Sequence, residues 1–241
     1  MIARQSRRSV AIAIPIASRA GFSFSLLKSA SARLAENKKV WLPFVAMGLV
    51  PMLLTPIVLT FVRQMLHFSQ GLEIAGLWQG ISKISDFFNV GISSILGIIL
   101  LPKISEKLSK KDFSKIFYPL LLRVLGIAGI VSLCLYFFKQ ETILFFLSES
   151  FSEASLLLPW QLLGDFFHAG GWCCGMVLMA KRETKKFLFL EIFFQVFFVC
   201  CTWSLLSKLG AYSPVITYAI ENLLYFIIAL LFVRKISWKT L

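Results

Sequence analysis

The chain has 241 residues, of which 58% are hydrophobic and 24 are phenylalanine, and its mean hydropathy is +0.79. This apolar content is well above that of soluble domains, so the composition excludes an ordinary globular protein and predicts a membrane protein. A formal net charge of +13 would also suit a nucleic-acid-binding protein. The cations, however, lie in the segments that flank the apolar stretches, so we expect no nucleic-acid partner.

The apolar residues are concentrated in six stretches, each long enough to cross a bilayer, which requires ~20 residues. Because a backbone in lipid must satisfy its own hydrogen bonds, each stretch is predicted to be helical. The expected fold class is all-α, an integral membrane domain of six transmembrane helices. The predicted spans are approximately 40–62, 79–101, 117–138, 156–180, 187–206 and 212–233.

The segments outside these spans are short and basic. Residues 1–39 contain one acidic residue, Glu36, among many Arg, Ser and Ala, a composition that overlaps that of organellar transit peptides. We favour instead a basic cytoplasmic segment, or a start codon that lies within a longer gene. Residues 234–241 are predicted to form a basic cytoplasmic tail, so the membrane domain extends from about residue 40 to 233.

The placement of the cations predicts the orientation of the spans. Of the 25 Lys and Arg residues, 20 lie before the first span, in the second-to-third and fourth-to-fifth connections, or in the tail. The alternate connections hold only Arg63, Lys139 and Lys208. Basic residues are retained in the cytoplasm, so both termini are predicted to be cytoplasmic. The surplus cations are expected to contact anionic membrane lipids.

Prolines and tryptophans give further expectations about the helix ends. Pro51 and Pro56 fall inside the first span, where they are expected to bend the helix. Pro102 and Pro119 are expected to end the second span and to open the third. Trp78, just before the second span, is expected to lie at the membrane interface.

No feature of the chain indicates an enzyme. The largest predicted outer connection, residues 63–78, is too short to hold a catalytic domain, and the sequence has no P-loop and no HExxH motif. The five cysteines show neither CxxC nor Cys/His ligand spacing, so neither a metal site nor a disulfide framework is expected. No bound cofactor is predicted.

Two polar sets inside the apolar helices are the strongest functional signal. Each set has i, i+4, i+7 spacing, which places its members on one helix face. Ionisable groups at membrane depth are costly and commonly line the path of a substrate or ion. The candidate cavity residues are therefore Gln79, Lys83 and Asp86 in the second span, and Gln161, Asp165 and His168 in the fourth.

Each set has two readings. Lys83 and Asp86 could form a self-neutralising i, i+3 ion pair, or Lys83 could face an anionic cargo while Asp86 tunes it. Asp165 and His168 could make interhelical hydrogen bonds, which is the commoner arrangement, or His168 could carry a proton. Topology places both sets in the outer half of the membrane, where they could share one cavity.

Three further ionisable residues are candidates of different rank. Glu221 lies at the middle of the sixth span, beyond the reach of water, and is ranked beside Asp165. Arg123 and Glu191 are second-tier candidates. Arg123 could reach the interface through its long side chain, and Glu191 lies close enough to the cytoplasmic end of the fifth span to reach water.

Two blocks of the sequence resemble the Wzx-type O-antigen and lipid III flippases of the MOP superfamily. Residues 75–86 (AGLWQGISKISD), followed by 101–105 (LPKIS), are similar to the seventh-to-eighth helix region of that family. Residues 158–167 (LPWQLLGDFF), followed by Ala180 and Lys181, are similar to its tenth helix. The resemblance covers about residues 38–235 and implies the C-terminal half of a twelve-helix, two-lobed fold.

The resemblance also implies a function. Such flippases translocate an undecaprenyl-pyrophosphate-linked oligosaccharide across the bacterial inner membrane by alternating access, driven by an ion gradient. This chain would supply half of the cavity wall, facing a missing N-terminal lobe or a second copy. Lys83 would attract pyrophosphate or an acidic sugar, and Asp86, Asp165 and Glu221 would be candidates for ion coupling. The bent first span would match the bending helix of the transport cycle.

Three other hypotheses stay open at this point. A drug or cation exporter of the same superfamily would have a more acidic cavity than one that contains Lys83. A non-transporting remnant of a split gene would carry the same helices without the partner lobe. A membrane-embedded polysaccharide enzyme is the least favoured hypothesis, because it would need a sizeable outer loop.

Overall fold

Long helices account for nearly all of the chain that the computed structural model describes, which is residues 38–105 and 109–236. Six of these helices are long and apolar enough to cross a membrane, which confirms the prediction of an all-α, six-span membrane protein. In chain order the elements are α1 (Lys38–Gln70), α2 (Leu72–Ser105), α3 (Lys110–Phe137), α4 (Lys139–Phe146), a 3₁₀ helix (Glu149–Leu156), α5 (Leu158–Ala180), α6 (Thr184–Leu209) and α7 (Tyr212–Arg234).

The chain divides into two units, Met1–Val45 and Ala46–Leu241, and the helix packing described below belongs to the second. The predicted basic segment, residues 1–39, lies outside the described residues except for the first two residues of α1. The tail predicted over residues 234–241 is described only as far as Ile236.

The first two helices are longer than their apolar segments. α1 has 33 residues and α2 has 34, so each is roughly 50 Å long at ~1.5 Å per residue. That exceeds the ~30 Å hydrocarbon core, and their ends must therefore emerge from it. The predicted 63–78 connection is wrong, because this stretch is helical apart from Gly71. The φ of 95° at Gly71 turns the chain between the helices, a conformation that glycine adopts readily.

Two prolines do not mark helix ends as predicted. Pro102 lies inside α2, which continues to Ser105, and Pro119 lies inside α3. The true start of α3 is set by Ser109, whose side chain accepts a hydrogen bond from the backbone N–H of Asp112 at 3.2 Å. A side-chain cap of this kind stabilises the first turn. The lysine-rich turns before Pro119 were excluded by hydropathy, although lysine is a good helix former.

Helix α5 is the centre of the second unit. It packs against α2, α3, α6 and α7, and its closest partner is α7. In its most apolar window 67% of residues are buried inside the protein, compared with at most 28% in the other five spans. Those five spans expose large apolar side chains at the positions where a membrane protein contacts lipid. Residues of α5 are therefore the ones best shielded from lipid.

The close approach of α5 to α7 depends on glycine. A Cβ on Gly164 would clash with the ring of Tyr218 and would lie 3.3 Å from the backbone nitrogen of Ala219. We expect Gly164→Ala to destabilise the protein by ~1–3 kcal/mol, the usual cost of overpacking. The measurement is the apparent unfolding temperature in detergent. The control is Gly126→Ala in α3, where a Cβ meets nothing within 4 Å. Equal effects of the two substitutions would contradict the packing described here.

The buried apolar residues form two separate clusters. The first cluster includes Leu100 of α2, Phe117 of α3 and Phe187 of α6. The second includes Leu66 of α1 and Trp78 of α2. Trp78 is only 3% exposed, so it packs inside the second cluster and does not present its ring to the outside of the bundle. Because α2 begins at Leu72, Trp78 lies almost two turns inside the helix and not, as predicted, before it.

A layer of polar side chains lies between the two clusters. On α2, Ser85 and Asn89 follow Ile84 of the second cluster and precede Leu96 of the first. The same order holds on α5, where Asp165 lies between the second-cluster and first-cluster residues of that helix. We call Ser85, Asn89 and Asp165 the polar layer. It crosses the middle of the helices, where apolar packing would otherwise be continuous.

The predicted orientation can be tested by cysteine labelling in intact cells. Lys111→Cys and Lys185→Cys are expected to be shielded from an impermeant thiol reagent, whereas Ser152→Cys is expected to react, because cations mark the cytoplasmic side. All three positions are exposed. The parent must lack the native cysteines, of which Cys134 and Cys200 are also exposed. The opposite labelling pattern would reverse the orientation.

Candidate functional site

A cavity of about 320 Å³ lies beside the polar layer, and Ser85 and Asn89 line it. Five helices contribute to its walls, and the contribution of α1 includes Pro51 and Thr55. Cavities of ~300–1,000 Å³ with a few converging polar groups are the usual form of a small-ligand site. A cavity of this kind in the middle of a membrane-spanning bundle is the best candidate for the functional site of the second unit.

Asp165 is the centre of the polar layer. Its side chain is fully buried and accepts hydrogen bonds from Ser85 Oγ at 2.7 Å and from Asn89 Nδ2 at 3.2 Å, both on α2. It also accepts one from the Tyr218 hydroxyl of α7 at 2.9 Å. A buried carboxylate is tolerated when it is well hydrogen-bonded. Asp165 therefore joins α2, α5 and α7 through one carboxyl group.

His168 does not pair with Asp165. Its Nδ1 lies 2.9 Å from Oδ1 of Asn222 on α7, and Asn222 donates to the backbone oxygen of Tyr218 at 2.9 Å. The imidazole ring is nearly parallel to the indole of Trp172, with ring centroids 6.4 Å apart. His168 and Trp172 both line the cavity. His168 therefore makes a hydrogen bond between helices, which was the arrangement favoured from the sequence, and its partner is Asn222 of α7.

The opposite wall of the cavity is acidic. Glu191 of α6 lines the cavity and accepts a hydrogen bond from the Tyr225 hydroxyl at 2.9 Å. It lies two turns inside α6, which begins at Thr184, and its side chain is half-buried at the cavity. Gln195 donates to the Thr55 hydroxyl at 3.0 Å and so connects α6 to α1. Glu221 of α7 also lines this wall.

The Lys83–Asp86 pair lies at the edge of this site. Lys83 Nζ is 2.8 Å from Asp86 Oδ2, and the two side chains are 66% and 50% exposed. Asp86 lines the cavity, whereas Lys83 is not among the lining residues. The i, i+3 ion pair is therefore formed, and Lys83 lies on the exposed face of α2, outside the cavity. The exposure of both groups leaves Lys83 free to exchange partners.

The remaining predicted candidates lie away from the cavity. Gln79 is half-buried on α2 and is not among the lining residues. Arg123 is exposed on α3, which contributes nothing to the cavity wall. The structure therefore brings together Asp86, Gln161, Asp165, His168, Glu191 and Glu221, and it separates these from Gln79, Lys83 and Arg123.

Ser85 and Asn89 are the main residues that the sequence reasoning missed. Together with Ser82 they form a polar stripe on α2 at helical spacing, and this stripe faces the cavity and Asp165. The signal was present as a second periodicity beside Lys83 and Asp86. The signal was weak because neither residue is ionisable, and such side chains commonly make ordinary hydrogen bonds between membrane helices.

An apolar groove of about 470 Å³ lies on the other side of α5, against α3. Its walls include Leu133 and Tyr136 of α3 and Leu163 and Phe166 of α5. Its walls are almost entirely apolar, and apolar walls of this kind on a membrane-spanning helix are suited to contact with lipid chains. The polar cavity, not this larger groove, is the candidate site.

Comparisons with known proteins give one consistent relationship. No protein-family model matches the chain, and no solved structure matches it. Two curated proteins do, the lipid III flippases of Escherichia coli strain K12 and of Shigella flexneri. Each is 27% identical over 184 residues, which cover 76% of this chain and 44% of the relative. The chain thus spans less than half the length of these relatives, and it is distantly similar to lipid III flippases over most of its membrane-spanning helices.

Proposed function

We propose that this chain forms one lobe of a flippase that moves a lipid-linked oligosaccharide across the bacterial inner membrane by alternating access. The observation that carries the proposal is the polar cavity in the middle of a six-span bundle, in a chain similar to lipid III flippases. A passive anchor has no need of ionisable groups at that depth, where they are costly. The relatives that the chain resembles are flippases, so we propose a transporter and not an enzyme.

The exposed Lys83–Asp86 pair supports the idea of a second lobe. Both side chains lie at the surface of α2, next to the exposed apolar side chains of Phe87 and Val90. A charged pair that faced hydrocarbon would be disfavoured, whereas one that faced a water-filled path between two lobes would be hydrated. We propose that this face of α2 borders the translocation path, with either an N-terminal lobe or a second copy opposite.

The proposed roles of the site residues follow from their positions. Lys83, on the outer surface, attracts the pyrophosphate of the cargo. Asp86, Asp165 and Glu221 are the proposed groups for coupling to an ion gradient, since each lines or adjoins the cavity. The undecaprenyl chain would remain in lipid throughout.

Complementation tests this proposal. In a strain that lacks its lipid III flippase, the chain alone is expected to leave the surface polysaccharide absent, because one wall of the path is missing. Co-expression with the non-overlapping segment of the Escherichia coli relative is expected to restore it. The control pairs the same segment with the matching part of the relative itself, which must also restore the polysaccharide.

The outcomes separate the possible arrangements. Restoration by the chain alone at near-native expression would contradict a missing lobe and would make a second copy the partner. Failure of the pair, with the control positive and the chain inserted in the membrane, would contradict the proposed function.

A further inference from the structure

The apolar groove between α3 and α5 has the depth of one leaflet of the membrane. Its wall on α3 runs from Gly129 to Tyr136, a rise of roughly 10 Å at ~1.5 Å per residue. Because α3 ends at Phe137 and α5 begins at Leu158, the groove runs along the ends of two spans that meet the same face of the membrane. One leaflet contributes about half of the ~30 Å hydrocarbon core. The groove therefore matches the acyl chain of a single lipid in depth.

The walls of the groove offer apolar surface and no charged side chain. Leu133 lines it and is 58% exposed, so this wall faces the surroundings of the bundle. Gly129 lines it without a side chain, and a Cβ there would lie 3.5 Å from the ring of Phe166. The hydroxyl of Ser132 donates to the backbone oxygen of Leu162 at 3.5 Å. An acyl chain packs against such walls through dispersion contacts.

The size of the groove restricts the kind of lipid. Its volume of about 470 Å³ corresponds to roughly fifteen water molecules, each with a share of ~30 Å³. A methylene group is close to a water molecule in size, so the groove holds most of one acyl chain. An undecaprenyl chain is far longer than one leaflet and would leave most of its length outside the groove.

A lysine lies at the end of the groove that is nearest to the membrane face. Lys139 begins α4, directly after the end of α3, and its Nζ lies 6.0 Å from the ring centroid of Tyr136, which lines the groove. Within residues 38–105 and 109–236, no carboxylate forms an ion pair with Lys139. Basic residues at the membrane surface attract lipid phosphates. The groove and the lysine together therefore match the two parts of a phospholipid.

We propose that this groove binds one phospholipid of the bilayer, with an acyl chain between α3 and α5 and the phosphate beside Lys139. The groove lies on the other side of α5 from the polar cavity, and the two share no lining residue. The proposal is therefore independent of the proposed function. In the predicted orientation the bound lipid belongs to the outer leaflet.

Native mass spectrometry of the purified full chain tests the proposal. The protein is delipidated in detergent and then titrated with phosphatidylglycerol, of which one tightly bound molecule is expected. A diacylglycerol with the same chains lacks the phosphate and is expected to bind about fivefold more weakly. Undecaprenyl phosphate is the third probe, and it is expected to bind more weakly than phosphatidylglycerol because its chain does not fit the groove.

Two substitutions address the two parts of the site. Gly129→Leu places a side chain in the groove and is expected to weaken phosphatidylglycerol binding about tenfold, the effect of losing roughly two buried methylene groups. Its matched control is Gly126→Leu on the same helix, where a Cβ meets nothing within 4 Å and the residue does not line the groove. Lys139→Ala is expected to weaken binding about fivefold. Its control is Lys208→Ala, at an exposed lysine of α6.

The unfolding temperature of each variant shows whether it remains folded. If Gly129→Leu is unfolded, the same comparison is made with Leu133→Trp, which fills the groove from α3. Its control is Ile130→Trp, at a residue of α3 that is 70% exposed and does not line the groove.

Four results would overturn the proposal. The first is the absence of phospholipid binding by the folded wild-type chain, and the second is an equal effect of each groove substitution and its control. The third is tighter binding of undecaprenyl phosphate than of phosphatidylglycerol, which would assign the groove to a polyprenyl chain. The fourth is unchanged binding in Lys139→Ala, which would remove the phosphate from the site.

Discussion

Replacing Asp165 with leucine is expected to prevent this chain from forming a stable bundle. Asp165 is fully buried and accepts three hydrogen bonds, from Ser85, Asn89 and Tyr218. Leucine has the same branched shape but is larger, and it accepts none of these hydrogen bonds. Each buried donor that loses its acceptor costs ~1–3 kcal/mol, and all three helices joined by the carboxyl group would be affected. We expect this to be the largest stability effect of any single polar substitution in the polar layer.

The measurement is the fraction of tagged protein that stays monodisperse in detergent after heating. Asp165→Asn keeps one acceptor oxygen, and the Ser85 and Tyr218 hydroxyls can reorient to accept from its amide, so it is expected to retain most of the stability. The matched control is Asp86→Leu, which removes a carboxylate that is 50% exposed. The ammonium group of Lys83 then stays exposed and can be hydrated by water. A loss in Asp86→Leu as large as that in Asp165→Leu would show that the network is not what holds the helices.

Replacing Lys83 with alanine is expected to abolish transport while leaving the protein folded. Lys83 is 66% exposed, and its partner Asp86 lies at the cavity edge. An ion pair this exposed contributes ~0–1 kcal/mol to stability, so its loss does not unfold the helix. A cation that attracts pyrophosphate has a larger effect on transport, and we expect a decrease of about tenfold or more. Lys83→Arg keeps the charge and is expected to retain part of the activity.

Transport is measured as surface polysaccharide in the complemented two-lobed context, with membrane protein quantified in parallel. The control is Lys208→Ala, at another exposed lysine in the described part of α6 that is remote from the cavity lining, and it is expected to be unchanged. The double substitution Lys83→Ala with Asp86→Ala is expected to be folded and inactive. Loss of protein from the membrane in Lys83→Ala, rescued in the double variant, would show that the pair is structural and would contradict a role in cargo binding.

The sequence determined the fold class and the number of spans. A segment that crosses the bilayer alone must satisfy its own backbone hydrogen bonds, which a helix does. Six apolar stretches therefore imply six helices. Helical periodicity also showed which helices carry the polar residues, since spacing places Gln161, Asp165 and His168 on one face without knowledge of their neighbours. The sequence predicted the helix ends less accurately. Hydropathy detects the apolar segments that suit lipid, whereas the helices α1 and α2 continue beyond their apolar segments.

Only the tertiary structure decided which polar groups meet. Asp165 lies one turn from His168, yet its partners are Ser85, Asn89 and Tyr218, which are 80, 76 and 53 residues away. Spacing along one helix cannot reveal these contacts, because they depend on the rotation of α2 and α7 about their own axes. That rotation is set by the packing of Tyr218 against Gly164 and of the two apolar clusters on either side. The polar layer is therefore a property of the packed bundle, whereas the Lys83–Asp86 pair, closed within one helix turn, could be predicted from the sequence.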